Sequence, residues 1–361
     1  MRVISLQGAH VVESDSLDAP LPPQGFLWIS CTRKELEAML GRIQEALQRL
    51  IGIQLVDLHV SDLLNRQLPS HYDYTSQYDL LVFRRLVATN RDGKGNPERR
   101  DEPMSLRQVD TTPVGFAVFD QLLLTVHPDD CTVRDAFAAR LLAGHATEVR
   151  ATGARTPASP ADLMLRLVNL MVDGYLELRR ELTRQLDVWQ TELLRPRPHV
   201  NDWSALLGAR LALHHLDEIC EDQRAAVQDW VDALETWPAP QNPPAQRERD
   251  LLMVRSRDVL EHIERVVHHV RRLEQSAETA VQMHFSIQSN RANDIMRVLT
   301  TLTAVFLPLN LIAGIFGMNF EFIPLVHKQD GFWWAMGSMG AIAIALMAWF
   351  WRKKYLARPS R

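Results

Sequence analysis

Two stretches near the C-terminal end interrupt the mixed polar and apolar pattern of the chain: Val298–Phe320 and Gly331–Trp351 contain no charged residue. Each is close to the roughly 20 residues a helix needs to cross a bilayer core of about 30 Å, so the pattern predicts a two-span hairpin. Upstream, nothing from Ala245 to Leu307 stops a helix. Val259, Ile263, Val266, Val270, Leu273, Ala277 and Ala280 alternate steps of four and three, the seven-residue repeat of a packed helical seam. Met296, Thr300, Thr303, Leu307, Asn310, Gly314 and Gly317 continue it. If unbroken to Phe316, this helix is about 110 Å long at 1.5 Å per residue, which predicts a stalk that runs on into the first span.

The flanks orient the hairpin. Arg352, Lys353, Lys354, Arg358 and Arg361 follow the second run, whereas the 321–330 connection holds one Lys, one His, one Glu and one Asp. Basic flanks stay in the cytoplasm, so both termini are expected there and the short loop outside. Phe332, Trp333 and Trp334 at one end and Trp349, Phe350 and Trp351 at the other fit interfacial aromatic belts. The competing reading is a pair of buried helices in a soluble protein.

Before the stalk, apolar runs at 25–30, 78–83, 114–119 and 121–126 predict strands, and 32–50 and 57–65 predict helices. Asn90–Pro97 reads as a turn-rich connection without phosphate-loop spacing. Ser159-Pro160-Ala161-Asp162 starts a helix, with a hydroxyl cap, proline at the first position and a carboxylate at the positive dipole end. That helix runs to Leu194, before Arg195-Pro196-Arg197-Pro198. A second, from Asn201 or Asp202 to Trp237, is its expected antiparallel neighbour. The fold expected is an α/β cytoplasmic domain plus a long stalk helix continuing into a C-terminal transmembrane hairpin. Its parts are the α/β domain (1–158), its long helices (159–244), the stalk (245–296), the first span (297–319), the external loop (320–330), the second span (331–351) and a basic cytoplasmic tail (352–361).

With 361 residues and 46% hydrophobic content the chain is neither disordered nor wholly embedded in lipid. A net charge of −4 gives no general basic surface, so nucleic acid is not an expected partner. Cys31, Cys131 and Cys220 lack disulfide or zinc-site spacing and read as thiols in a reducing compartment. No signal peptide is expected at Met1–Ser5. His262, His268, His269 and His284 form no closed ligand set with Cys or paired carboxylates, and Trp189, Trp203, Trp230 and Trp237 read as helix packing. With no nucleotide motif, no enzyme is expected and no cofactor.

Gly317-Met318-Asn319 after a proline-containing span, then a short loop and a last span ending in Arg-Lys-Lys, resembles the CorA family of divalent-cation channels; Asn293–Asn319 runs without a gap against that family's pattern. The resemblance implies a homo-oligomer, a pentamer, in the inner (cell) membrane. It would be a channel for hydrated Mg2+, and also Co2+ or Ni2+, driven by membrane potential. It implies a selectivity mouth at Gly317, Met318 and Asn319, and a pore lined by Asn293, Met296, Leu299, Thr303, Leu307, Asn310 and Gly314, with Met296 and Leu299 in an apolar constriction. It also places Asp258 at a cytoplasmic Mg2+-sensing contact, for which Asp92 is a candidate partner; the plain alternative is a solvated carboxylate paired with Arg255 or His262. Mg2+ would thus be both cargo and regulator.

Physical chemistry agrees with such a mouth. Mg2+ keeps several of its waters, so a ring of neutral amide and backbone oxygens suits the hydrated ion. Two spans cannot enclose water, so copies of the chain must surround the path. Two departures bear on selectivity: Asn310 stands where many relatives have Thr, and Pro324–Lys328 lacks the usual acid, leaving Glu321 and Asp330 to recruit cations. A zinc transporter of the ZntB kind, and a membrane-tethered binding or signalling protein that conducts nothing, are the alternatives.

Overall fold

The computed structural model describes residues 1–8, 10–14, 16–87, 110–146, 156–193, 203–238, 242–318 and 330–353. The chain divides into two units, Met1–Thr279 and Ala280–Arg361. The expected turn at Asn90–Pro97, with Asp92, lies outside the described residues, as do Asn319, the loop from Phe320 to Gln329 and the end of the basic tail.

The first unit is built on a seven-stranded sheet in the order β2-β1-β3-β7-β6-β5-β4. The strands are β1 (Arg2–Gln7), β2 (His10–Ser14), β3 (Phe26–Thr32), β4 (His71–Tyr74), β5 (Asp79–Leu86), β6 (Thr111–Val118) and β7 (Leu122–His127). Among the described strands only the β3–β7 pair is parallel; Trp28 sits opposite Leu123 in it, and the Trp28 indole N–H donates to Thr125 Oγ1 at 2.9 Å across the pair. The four predicted strands are present, joined by β1, β2 and β4, which the hydrophobic pattern did not reveal.

Alternation of side chains puts two cores on the two faces of this sheet. Leu27, Ile29, Leu80, Leu122 and Leu124 face α1 (Arg33–Ile51) and α2 (Asp57–Leu64). The α1 boundaries follow from its ends: Thr32 and Glu35 form a reciprocal capping box, and Gly52 takes φ 71°, a left-handed conformation glycine adopts without Cβ strain. Trp28, Leu81, Phe83, Val114 and Phe116 face the other way, toward α3 (Thr132–Ala146), α4 (Pro160–Leu193), α5 (Trp203–Thr236) and α6 (Pro243–Phe316). Helices α4 and α5 meet over β5, where the Tyr175 hydroxyl and the Gln223 amide both donate to the Arg84 carbonyl, at 3.0 and 2.7 Å.

The seven-residue seam on α6 is covered within the chain itself. Val259, Ile263, Val266, Val270, Leu273 and Ala277 are all buried in one cluster with α4 and α5 side chains. Polar links fix the same packing: the Trp230 indole N–H donates to Ser256 Oγ at 2.9 Å, and Thr183 Oγ1 lies 2.7 Å from His269 Nε2. The start of α4 adds another. Asp162, expected only as a favourable charge at a helix start, is buried; it accepts the Ala158 N–H at 2.9 Å and pairs with Arg166 and with Arg255 of α6.

The three cysteines are free and buried, and burial pushes the Cys31 and Cys220 thiols up to about 12, so they stay protonated at neutral pH. In the second unit, the remainder of α6 and α7 (Gly331–Arg352) are each long and apolar enough to cross a membrane. Only 6% and 11% of their apolar windows are buried, whereas the core helix of a soluble protein is mostly buried. Phe332, Trp333, Trp334, Trp349 and Trp351 are exposed at the two ends of α7.

Candidate functional site

Helix geometry brings the candidate pore residues to one side of α6. At 100° per residue, Asn293, Met296, Leu299, Thr303, Leu307, Asn310 and Gly314 fall within an arc of about 120°, and Thr300 and Gly317 fall in the same arc. All are exposed in the isolated chain, Met296 at 61%, Leu299 at 55% and Leu307 at 71%, so no part of the described chain covers this face.

The threonine hydroxyls on this arc present acceptor oxygens. The Thr300 hydroxyl donates to the Met296 carbonyl at 2.7 Å and the Thr303 hydroxyl to the Leu299 carbonyl at 2.9 Å. With the proton held by the backbone, each hydroxyl oxygen turns lone pairs outward. The Asn310 amide makes no hydrogen bond among the described residues, although it lies inside an otherwise apolar stretch. Pro308, two residues before it, has no N–H, so the Ala304 carbonyl lacks its helical donor.

Helix α6 ends at Phe316, and its last turn is closed by the Gly317 N–H donating to the Ala313 carbonyl at 2.9 Å. A Cβ on Gly317 would meet that same carbonyl oxygen at 3.1 Å, tighter than most such contacts, so glycine suits this turn. At Gly314 an added Cβ would meet open space, so there the missing side chain leaves room on the outer surface instead. Met318 is half exposed, and Asn319 lies outside the described residues.

Asp258 lies on α6 in the first unit, remote in sequence from the mouth. Its side chain is 59% exposed, with His262 Nε2 at 3.8 Å. Arg255, the other partner considered for it, is committed to Asp162. The carboxylate is therefore held only loosely by its own chain and faces solvent. Among the described residues, no three His, Cys, Asp or Glu side chains converge as they would around a metal ion, and His269 is engaged by Thr183. Trp230 and Trp237 stack edge to face at 5.8 Å, packing against each other.

Comparison with known proteins gives this arrangement a lineage. A family model described as CorA-like Mg2+ transporter protein matches residues 23–354. The cobalt/magnesium transport protein CorA of Thermotoga maritima is 27% identical over 194 residues, 54% of this chain and 52% of that protein, so this alignment spans about half of the relative. The cobalt/magnesium transport protein CorA of Methanocaldococcus jannaschii is 21% identical over 92% of both chains. The complete structure of the CorA magnesium transporter from the same organism shares the fold, with a TM-score of 0.71 and 20% identity over 98% of each chain. The full-length CmaX protein shares it with a TM-score of 0.61 over 98% of this chain. With the family matched along nearly the whole sequence, this chain belongs to the CorA-like Mg2+ transporter protein family.

Proposed function

We propose that this protein is a homo-oligomeric channel for hydrated divalent cations, Mg2+ and also Co2+ or Ni2+, in the inner (cell) membrane. The observation that carries the reading is the arc on α6, where the Thr300 and Thr303 hydroxyls turn lone pairs outward and the Asn310 amide stands exposed on an apolar helix. An unpartnered amide is costly in hydrocarbon unless it faces water or another chain. Packing copies of α6 around an axis, five by likeness to the family, turns the arc inward and wets it. The threonine lone pairs and the asparagine carbonyl oxygens are then available to the path, which suits the first-shell waters of a cation.

The parts of the chain take their roles from this arrangement. Residues 1–244 form the cytoplasmic domain, 245–296 its stalk, 297–319 and 331–351 the spans, and 352–361 the cytoplasmic tail. Gly317, Met318 and Asn319 form the outer mouth, and Met296 and Leu299 an apolar constriction that gates by dewetting. Asp258, exposed and weakly held, is the cytoplasmic sensing carboxylate. Entry needs no chemical step, since a divalent ion gains about 4.6 kcal/mol per 100 mV of inside-negative potential. No catalytic residue is assigned.

The test is flux into proteoliposomes under a potassium diffusion potential, with Mg2+, Co2+ and Zn2+ in competition. Potential-driven Mg2+ entry suppressed by Co2+ is the expected result. Zn2+ entry in preference to both would move the ion assignment to zinc, and absence of any flux would remove the channel.

A further inference from the structure

The first unit contains a cleft of about 1200 Å3 that the conduction pathway does not use. It lies between β4 and β5, the turn after β6, the start of α4, the end of α5 and the start of α6. Its volume exceeds the range of about 300–1,000 Å3 typical of small-molecule sites, so it has room for an extended organic ligand.

Aromatic rings form part of its wall. Tyr74, 68% exposed, stacks on Tyr72 with centroids 6.2 Å apart and planes 19° apart. Tyr72 meets Trp230 edge to face at 6.0 Å, and Trp230 carries Trp237, which also lines the cleft. The remaining wall is strongly acidic. Asp120, Asp229 and Glu248 line it and make no hydrogen bond or ion pair among the described residues. Asp79, also in the wall, accepts from the Tyr72 hydroxyl at 2.5 Å; burial, and then Asp120, push its carboxyl upward. The described cation in the wall, Arg249, offsets part of this charge and leaves the acids in excess. Its guanidinium donates to the carbonyls of Leu234, Glu235 and Pro238, closing the end of α5.

The carboxylates are also dispersed: among the described residues, no three converge as a metal ion would require. A compact dication is poorly served by separated acids, whereas a chain with charges spaced along it is well served. Aromatic faces add attraction for alkylammonium groups and contact for methylenes. We propose that this cleft binds a linear organic polycation of the polyamine class. Its ammonium groups pair with Asp120, Asp229 and Glu248, and its methylene chain lies on Tyr72, Tyr74 and Trp237. This site is separate from the proposed pore and from Asp258.

The probe is spermidine, titrated calorimetrically into the purified full-length protein in lipid nanodiscs. The expected result is saturable binding of one spermidine per chain, with 1,8-octanediol, a chain of comparable reach without charge, giving none. Tyr74→Ala removes an exposed ring and is expected to weaken binding about threefold. Asp229→Asn with Glu248→Gln is expected to weaken it about tenfold or more, while Mg2+ flux without spermidine stays at the wild-type level. Unsaturable heat, equal affinity in all variants, or displacement by Mg2+ far stronger than that by NaCl of equal ionic strength would each overturn the assignment. A protein that binds spermidine but conducts nothing leaves this inference intact, and one that conducts but does not bind spermidine removes it alone.

Discussion

Replacing Asp162 with alanine removes the one carboxylate that ties the start of α4 to α6. In the wild type it is buried, accepts the Ala158 N–H at 2.9 Å, and pairs with Arg166 at 3.2 Å and with Arg255. Among the described residues Arg255 has no other acceptor, and its side chain is 33% exposed. Removing one partner of a buried pair costs about 3–5 kcal/mol, because the remaining charge is stranded. Arg255 can turn partly to water, which puts the loss at the lower end, about 3 kcal/mol, with the capping bond contributing about 1 kcal/mol of it. At about 1.4 kcal/mol per factor of ten, amides of 160–166 and 250–258 whose exchange requires this link to open should exchange roughly a hundredfold faster. Hydrogen-exchange mass spectrometry on the full-length protein reads this directly. A change below about fivefold would refute the reasoning. Adding Arg255→Ala to the variant should restore part of the protection, since the stranded charge is gone. Additive loss in the double variant would show that the charge was never the cause.

Three further outcomes are expected. Asn319→Ala should abolish Mg2+ flux while size-exclusion light scattering still reports the wild-type oligomer; wild-type flux would remove the mouth assignment. Asp258→Lys should protect the stalk from proteolysis in Mg2+-free buffer where the wild type is cut, because a tethered cation replaces the ion. Two carboxylates about 4 Å apart at an effective dielectric near 20 repel by about 4 kcal/mol before screening. Identical Mg2+ dependence of cleavage in the two proteins would make Asp258 an ordinary surface acid. His127 is fully buried, and burial, then Arg134, Arg85 and Arg33, hold its pKa well below the usual 6.5. The folded state therefore binds this proton less readily than the unfolded chain, so stability is present above pH 6.5 and falls as pH drops below it, by up to about 1.4 kcal/mol per unit. Urea unfolding at pH 7 and 5.5 should show that loss, reduced in His127→Gln; an equal loss in both would reject the assignment.

The long periodic elements were legible because their signals are local. Proline and capping residues bound α4 and α6, and the absence of charge over 298–320 and 331–351 marks the apolar stretches. What was not legible depended on tertiary context. Strand β4, His71-Tyr72-Asp73-Tyr74, is four polar and aromatic residues, none of them buried, that become a strand only by pairing with β5. Helix α3 is rich in alanine and weakly amphipathic, and no expectation covered it. The 259–277 seam has the period of an intermolecular coiled coil, but α4 and α5 of the same chain cover it. Period alone does not say whose side chains fill the grooves. At the candidate site, sequence spacing gave the arc on α6. It could not show that the threonine hydroxyls donate to backbone carbonyls, or that Asp162 takes Arg255 and leaves Asp258 with only the loose His262 contact among the described residues.

The central claim is conduction of divalent cations through a path lined by the polar arc of α6, and the reversal potential of single channels in a planar bilayer tests it most directly. With Mg2+ the sole permeant ion and a tenfold gradient across the bilayer, two charges per ion require a reversal potential shifted by about 30 mV toward the Mg2+ equilibrium value. The account predicts that shift, in unitary currents that vanish in Asn319→Ala. A reversal potential near zero under the gradient, one that follows the anion, or no current from correctly assembled protein would contradict it.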